Sequence, residues 1–154
     1  MKHIRLFESF SDIGSICDEY GITNYTINSD GSIDVDGDVN LTNKKLTKLP
    51  VKFNKVSGNF YCSSNKLTLE GGPKEVGGDF YCSNTQLTTL EGSPKEVGGD
   101  FNCFNNQLPK SIVNNIKYIK KILEYGEDYS IWRSDNTLDE YRFNDMMEEI
   151  KMEE

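Results

Sequence analysis

Apolar and polar positions in the middle of this chain recur on two scales at once. Within each phrase they alternate, as in Val39-Asn40-Leu41, Phe60-Tyr61-Cys62, Phe80-Tyr81-Cys82 and Phe101-Asn102-Cys103. A period of two marks a strand with one buried face, so Phe60 and Cys62 are expected to point inward and Asn59, Tyr61 and Ser63 outward. Between phrases the pattern returns at a longer interval: Val35, Val56, Val76 and Val97 are spaced by 21, 20 and 21 residues. A fixed period of this size predicts a solenoid, in which no coil buries its own inner face and stacking supplies the stability. Leu67, Leu87 and Leu90 dip back into the core after each strand. Glu-Gly-x-Pro then makes the return turn, since Gly permits unusual backbone angles and Pro fixes one.

The flanks lose this period. Ile13, Ile16, Cys17 and Tyr20 lie at helical spacing, with Ser9 or Ser11 placed to cap the start and Gly21 the end. Residues 25–28 and 32–35, joined through Ser29-Asp30-Gly31, read as a β-hairpin leading into the first coil. After Leu108, Ile112, Ile116, Ile119 and Leu123 predict one helix ended by Gly126, with Lys117, Lys120 and Lys121 elsewhere on its surface. Thr137-Leu-Asp-Glu140 has the form of a capping box. The helix it opens has Phe143, Met146, Met147 and Ile150 as its apolar face. That face is expected to cover the last coil or, because Met adapts to varied surfaces, to dock a partner.

The expected fold is therefore an α+β repeat solenoid, a short parallel β stack of about four coils with helical caps at both ends. Its divisions are residues 1–10 as a leader-like segment, 11–34 as an N-terminal cap of helix plus hairpin, 35–108 as the solenoid and 109–154 as an acidic helical cap. The phrases F-Y-C-S-S-N-K-L (60–67) and F-N-C-F-N-N-Q-L (101–108) resemble the leucine-rich repeat, L-x-L-x-x-N-x-L. The copies at 39–46 and 80–87 have Lys44 and Thr85 at the asparagine position, and their turns are expected to lack the amide that bonds the backbone there. The G-G-D-F-Y-C-S-N wording, with its T-I-N-S-D-G-S-I-D-V lead-in, also resembles uncharacterised repeat proteins of tailed bacteriophages and some bacteria. That resemblance implies an origin and a fold, and no activity.

Cysteine spacing changes the chemistry one would first suspect. Cys62, Cys82 and Cys103 fall one per coil in an inward column, where parallel side-chain vectors suit a disulfide poorly. They are expected to be buried thiols, with a disulfide or a metal site as the lesser readings, and Cys17 has no evident mate. Reduced thiols and the absence of a secretory signal point to a cytoplasmic setting, which the phage resemblance implies to be that of a bacterial host cell. No apolar run approaches membrane-spanning length.

Charge is unevenly spread: the chain carries −8, and residues 127–154 hold ten acids against three bases. This argues against a phosphate-binding nucleic-acid module, and makes the C-terminal region either a solvated cap or a lure for a basic partner. The Asp34-x-Asp36-x-Asp38 run begins like a calcium loop, but Val39 and Lys45 stand where that loop needs Gly and Glu. The glycine pairs at 77–78 and 98–99 precede strands, the wrong order for a phosphate cradle. A single His3 offers no triad or zinc cluster. No catalytic, cofactor-binding or metal-binding residue is assigned.

The outward strand face is the expected site of a protein–protein contact. Asp38, Asn59, Asp79 and Asp100 should form one column and Asn40, Tyr61, Tyr81 and Asn102 the next. Thr42, Ser63, Ser83 and Phe104 should form the third. The partner's identity is not legible. One further resemblance concerns the start: Lys2 to Phe10 is similar to leaders of some large tailed phages, which direct proteins into the prohead and are cut after Leu-x-Glu. Leu6-Phe7-Glu8 fits that pattern and implies, as the alternative, a capsid-associated or internal head protein.

Overall fold

The computed structural model describes the backbone from Lys2 to Glu154 and the side chains from Ser11 onward; the side chains of the leader-like segment, including Leu6-Phe7-Glu8 and His3, lie outside it. The chain winds into a parallel-strand β-solenoid of about three turns, with a few helices before and after; its parallel pairing begins at Ile33, within the segment expected to be cap. Helix α1 spans Lys2–Glu19. It starts before the expected boundary, so Ser9 and Ser11 lie inside it rather than at its N-cap. Gly21 (φ 68°) ends it, and Ile22 N–H closes the turn on Cys17 O. Strands β1 (Tyr25–Ile27) and β2 (Ile33–Val35) pair antiparallel as the expected hairpin. Asp30 Oδ1 accepts from Ser32 N–H (2.9 Å) and Ser32 Oγ (2.6 Å), and these bonds hold its carboxyl down to about 2, with Lys52 at 3.4 Å contributing less.

The periodic valines Val35, Val56, Val76 and Val97 each stand in a strand of their own. Each turn contributes two strands, not one. The first set is β2, β4 (Phe53–Val56), β6 (Glu75–Val76) and β8 (Glu96–Val97), which with β1 make a five-stranded sheet in the order β1-β2-β4-β6-β8. The second is β3 (Val39–Asn40), β5 (Phe60–Tyr61), β7 (Phe80–Tyr81) and β9 (Phe101–Asn102), a parallel four-stranded sheet. Between the sheets lie the phenylalanines, whose rings stack along the axis: Phe60 on Phe80 at 5.3 Å and Phe80 on Phe101 at 5.2 Å, with planes nearly parallel. Cys62, Cys82 and Cys103 are buried and unbridged beside them. Burial pushes the Cys62 thiol up to about 12 and Cys103 to about 11, and raises Cys82 well above the usual thiol value.

The glycine pairs sit at the corner between the two sheets, where successive rungs are too close for a side chain. A Cβ on Gly98 would meet Gly77 O at 2.1 Å, and one on Gly99 would meet Asp79 Oδ1 at 2.0 Å. On the opposite corner, Asn65 and Asn106 reverse the expectation about the Asn-less turns. Asn65 Oδ1 accepts from Lys44 N–H (3.1 Å) and Leu46 N–H (2.9 Å) of the preceding turn, while its Nδ2 donates to Leu41 O and Cys62 O. Asn106 repeats this toward Thr85 and Leu87 N–H, with Nδ2 on Cys82 O and Cys103 O. The amide is supplied from the next rung, so the turns at Lys44 and Thr85 do not go without it.

A two-rung alternation follows. Lys45 and Gln86 take the left-handed conformation (φ 57° and 58°), whereas the equivalent Lys66 and Gln107 do not; these instead donate N–H to Leu46 O and Leu87 O. The return segments alternate too, Leu-Thr-x-Leu after Leu46 and Leu87 but Leu-Thr-Leu after Leu67.

Beyond the last strand the expected single helix is broken. It divides into α2 (Lys110–Val113), a 3-10 turn at Ile116–Tyr118 and α3 (Ile119–Gly126), interrupted at Asn114-Asn115. Helix α4 spans Glu140–Met152. Its N-cap is Asp139, whose carboxylate accepts from Arg142 N–H; the Thr137 capping box does not form, because Leu138 is buried and bridged to Trp132 in extended conformation. Phe143, Met146, Met147 and Ile150 are all buried, with α3 packed on α4, so the Met face is core and not a docking surface. Tyr118, Tyr125 and Tyr129 donate to Glu154, Glu153 and Glu149, a seam that engages three of the ten acids of residues 127–154.

Candidate protein-binding face

The four-stranded sheet brings the predicted outward columns together, and assigns each a different task. In the first column, Asp38 Oδ1 accepts from Asn59 N–H, Asn59 Oδ1 from Asp79 N–H and Asp79 Oδ1 from Asp100 N–H, at 2.7–2.8 Å. These side chains form a ladder that ties rung to rung, made possible by the missing Cβ atoms at Gly58, Gly78 and Gly99. Asp100 ends the ladder with no rung beyond it. The other carboxylates of the calcium-like run are similarly engaged, Asp34 by Asn28 and Asn54 amides and Asp36 by Ser57 Oγ.

In the second column, Tyr61 and Tyr81 stack with centroids 5.3 Å apart and planes within 8°. Tyr81 O–H donates to Asp79 Oδ2 (3.2 Å), and the negative charge of Asp79, with that of Asp100, raises the phenol above its usual range. Asn40 and Asn102 flank the pair. Each turns its Oδ1 back on the N–H two residues later, Thr42 and Phe104, and so ends its strand. Asn102 Oδ1 also accepts from Ser83 Oγ at 2.6 Å.

Phe104 closes the third column and is 62% exposed. It lines an open cleft with Tyr81, Asp100, Asn102, Lys117, Tyr118 and Lys121. Lys117 sits 4.7 Å over the Tyr118 ring and 4.0 Å from Glu154, and Lys121 lies 3.6 Å from Glu153. Lys120 Nζ donates to Gly99 O at 2.8 Å. On the inner rungs that carbonyl position accepts the next rung's N–H, as Gly58 O does from Gly78 and Gly78 O from Gly99. Lys120 therefore stands in for a missing rung, a role that the helical stripe did not disclose.

A second concavity, of about 810 Å³, runs along the outer side of the five-stranded sheet between Lys55, Glu75, Glu96, Lys120 and Glu124. Its lining carries charges of both signs, and Lys55 pairs with Glu75 at 3.7 Å. The four-stranded face differs in offering stacked and exposed aromatic rings, the groups most able to contribute to a protein contact.

No protein family, curated protein or solved structure matches the chain. Among the described residues no helix is long and apolar enough to cross a membrane.

Proposed function

We propose that the chain is a non-catalytic protein-binding module, phage-encoded, which engages a host or phage protein through the outer face of its four-stranded sheet. The observation carrying this reading is the Tyr61–Tyr81 stack beside exposed Phe104: three aromatic rings that the core does not need. Large amphipathic rings contribute contact area at low entropic cost, and Tyr is enriched where truncation weakens interfaces most. Asp38, Asn59 and Asp79 support that surface through its backbone rather than by touching a partner. The contact residues are Tyr61, Tyr81, Asn102 and Phe104, with Asn40 and Asp100 at the margins.

The finer architecture belongs to the same reading: four leucine-rich-repeat-like coils, closed at one end by α1 and the hairpin and at the other by α2–α4. The Asn65 and Asn106 bonding supports the kinship, and the second sheet in each turn sets the chain apart from the repeat's single-strand phrase.

The test is affinity capture from bacterial and infected-cell lysate with the wild-type chain and a Tyr61→Ala/Tyr81→Ala variant whose circular dichroism is unchanged. Partners held by the wild type and lost by the variant are expected; equal capture by both would overturn the face. The alternative, a head protein directed by its leader, follows from Leu6-Phe7-Glu8 and a bacterial cytoplasmic site of synthesis. It requires virions to contain a chain beginning at Ser9, which mass spectrometry reads directly.

A further inference from the structure

The last rung of the four-stranded sheet is left half-paired. On inner rungs, Phe60 N–H bonds Asp79 O, Cys62 N–H bonds Tyr81 O, Phe80 N–H bonds Asp100 O and Cys82 N–H bonds Asn102 O. The equivalent donors on β9, Phe101 N–H and Cys103 N–H, point the same way and have no rung to meet. By the alternation of a parallel ladder, Phe101 O is the acceptor between them. Asp100 Oδ1 likewise ends its ladder without the N–H that Asp38, Asn59 and Asp79 each receive. Core cover thins at the same place: Phe101 is 9% and Cys103 5% exposed, against 0% for Phe60, Phe80, Cys62 and Cys82. The neighbouring edge of the five-stranded sheet differs, because α3 packs on β8.

We propose that β9 accepts an extended, acidic segment of a partner protein as an additional parallel strand, lying in the cleft between β9 and α3. The proposal rests on the reading of this face as a protein-binding surface and adds the partner's backbone conformation and charge. The backbone pattern calls for a strand, since only an extended chain offers a carbonyl, an N–H and a carbonyl in that order to Phe101 and Cys103. The charge follows from the cleft lining, which holds Lys117, Lys120 and Lys121 against one carboxylate, Asp100, with Lys120 bonded to Gly99 O. From outside the lining Glu154 pairs with Lys117, and Glu124 (3.5 Å) and Glu153 (3.6 Å) pair with Lys121; all these pairs are exposed, and exposed pairs of this kind exchange readily for an incoming carboxylate. A second copy of the chain continuing the solenoid is not the occupant, because its five-stranded sheet would need the place α3 holds.

The chain itself supplies a probe: a synthetic nonapeptide copying residues 76–84 with Cys82→Ser. Placed as the added strand, its Tyr81 N–H meets Phe101 O while its Phe80 N–H points away. Titrated into ¹⁵N-labelled protein, it is expected to shift the Phe101 and Cys103 amides and slow their hydrogen exchange. N-methylation at Tyr81 of the peptide should weaken binding about tenfold or more, N-methylation at Phe80 should leave it unchanged, and Asp79→Lys should weaken it. Binding that is indifferent to N-methylation, or that perturbs Tyr61 instead of the edge amides, overturns the added strand and leaves the face reading standing. No binding up to millimolar peptide overturns it as well, and the capture experiment then judges the face separately. Edge-amide shifts that grow with protein concentration alone would assign the edge to a second copy and also refute the proposal.

Discussion

Replacing Asn65 by Ala should be among the most damaging single changes in the solenoid. The side chain is 4% exposed and makes two acceptances and two short donations across two rungs. Truncation leaves Leu46 N–H, Leu41 O and Cys62 O without the amide, whereas Lys44 N–H lies on an exposed residue that water can serve. A buried group left unpaired costs roughly 1–1.5 kcal/mol at the lower end of the measured range, so the three amount to about 3–5 kcal/mol. This is a large share of the 5–15 kcal/mol that typically separates folded from unfolded domains. Asn106, with the same bonds on the more open last rung, should cost only about 1–2 kcal/mol when truncated. Urea unfolding followed by circular dichroism measures both, and an unchanged m-value licenses the comparison. A loss below about 1 kcal/mol for Asn65→Ala, or a larger loss for Asn106→Ala, would refute the cross-rung account.

Two further outcomes follow from the same bonding and burial. Thr85→Asn, which brings the third copy to the repeat consensus, should destabilise by about 1–3 kcal/mol, because Thr85 is 1% exposed with its Oγ1 already on Cys82 O; a gain in urea midpoint would sink this. The column thiols should resist alkylation at pH 8 until urea unfolds the chain. Because the Cys62 thiol rises from 9.0 to about 12 on folding, it stays protonated in the folded state where the unfolded chain has lost its proton. Stability is therefore full below pH 9 and falls by about 1.4 kcal/mol per pH unit above it for that residue, an effect that Cys62→Ala should remove from a pH series of urea titrations.

The parts of the fold legible in the sequence were those written as side-chain periodicity. Phe60, Phe80, Phe101 and the three cysteines alternate with polar neighbours, and the hairpin at Asp30-Gly31 carries its own turn chemistry. The second sheet is not legible as such: Glu75-Val76 and Glu96-Val97 stand between a proline turn and a glycine pair, so each shows one apolar position with no second to alternate with. The sequence places Asp38, Asn59 and Asp79 in an outward column but does not show their ladder, because its partners are backbone N–H groups about 20 residues away, which no local pattern encodes. The glycine pairs show no local reason for their presence; for Gly78 and Gly99 the reason is the same ladder, and for Gly77 and Gly98 it is the backbone carbonyl of the rung before. Tyr61, Tyr81 and Phe104 stand on the face where their phase in the strand put them. The edge role of Lys120 needed the break at Asn114-Asn115, where a continuous helical stripe was expected.

The two-rung alternation has a consequence for how such a chain can grow. Lys45 and Gln86, and Asn65 and Asn106, are each 41 residues apart, so the unit that repeats without mismatch is a pair of rungs. Duplicating 41 residues would bring each asparagine next to a turn already shaped to receive it, whereas duplicating 20 or 21 would set two like turns side by side. Longer relatives of this chain should therefore come in steps of two rungs, and shorter ones should lose two at a time.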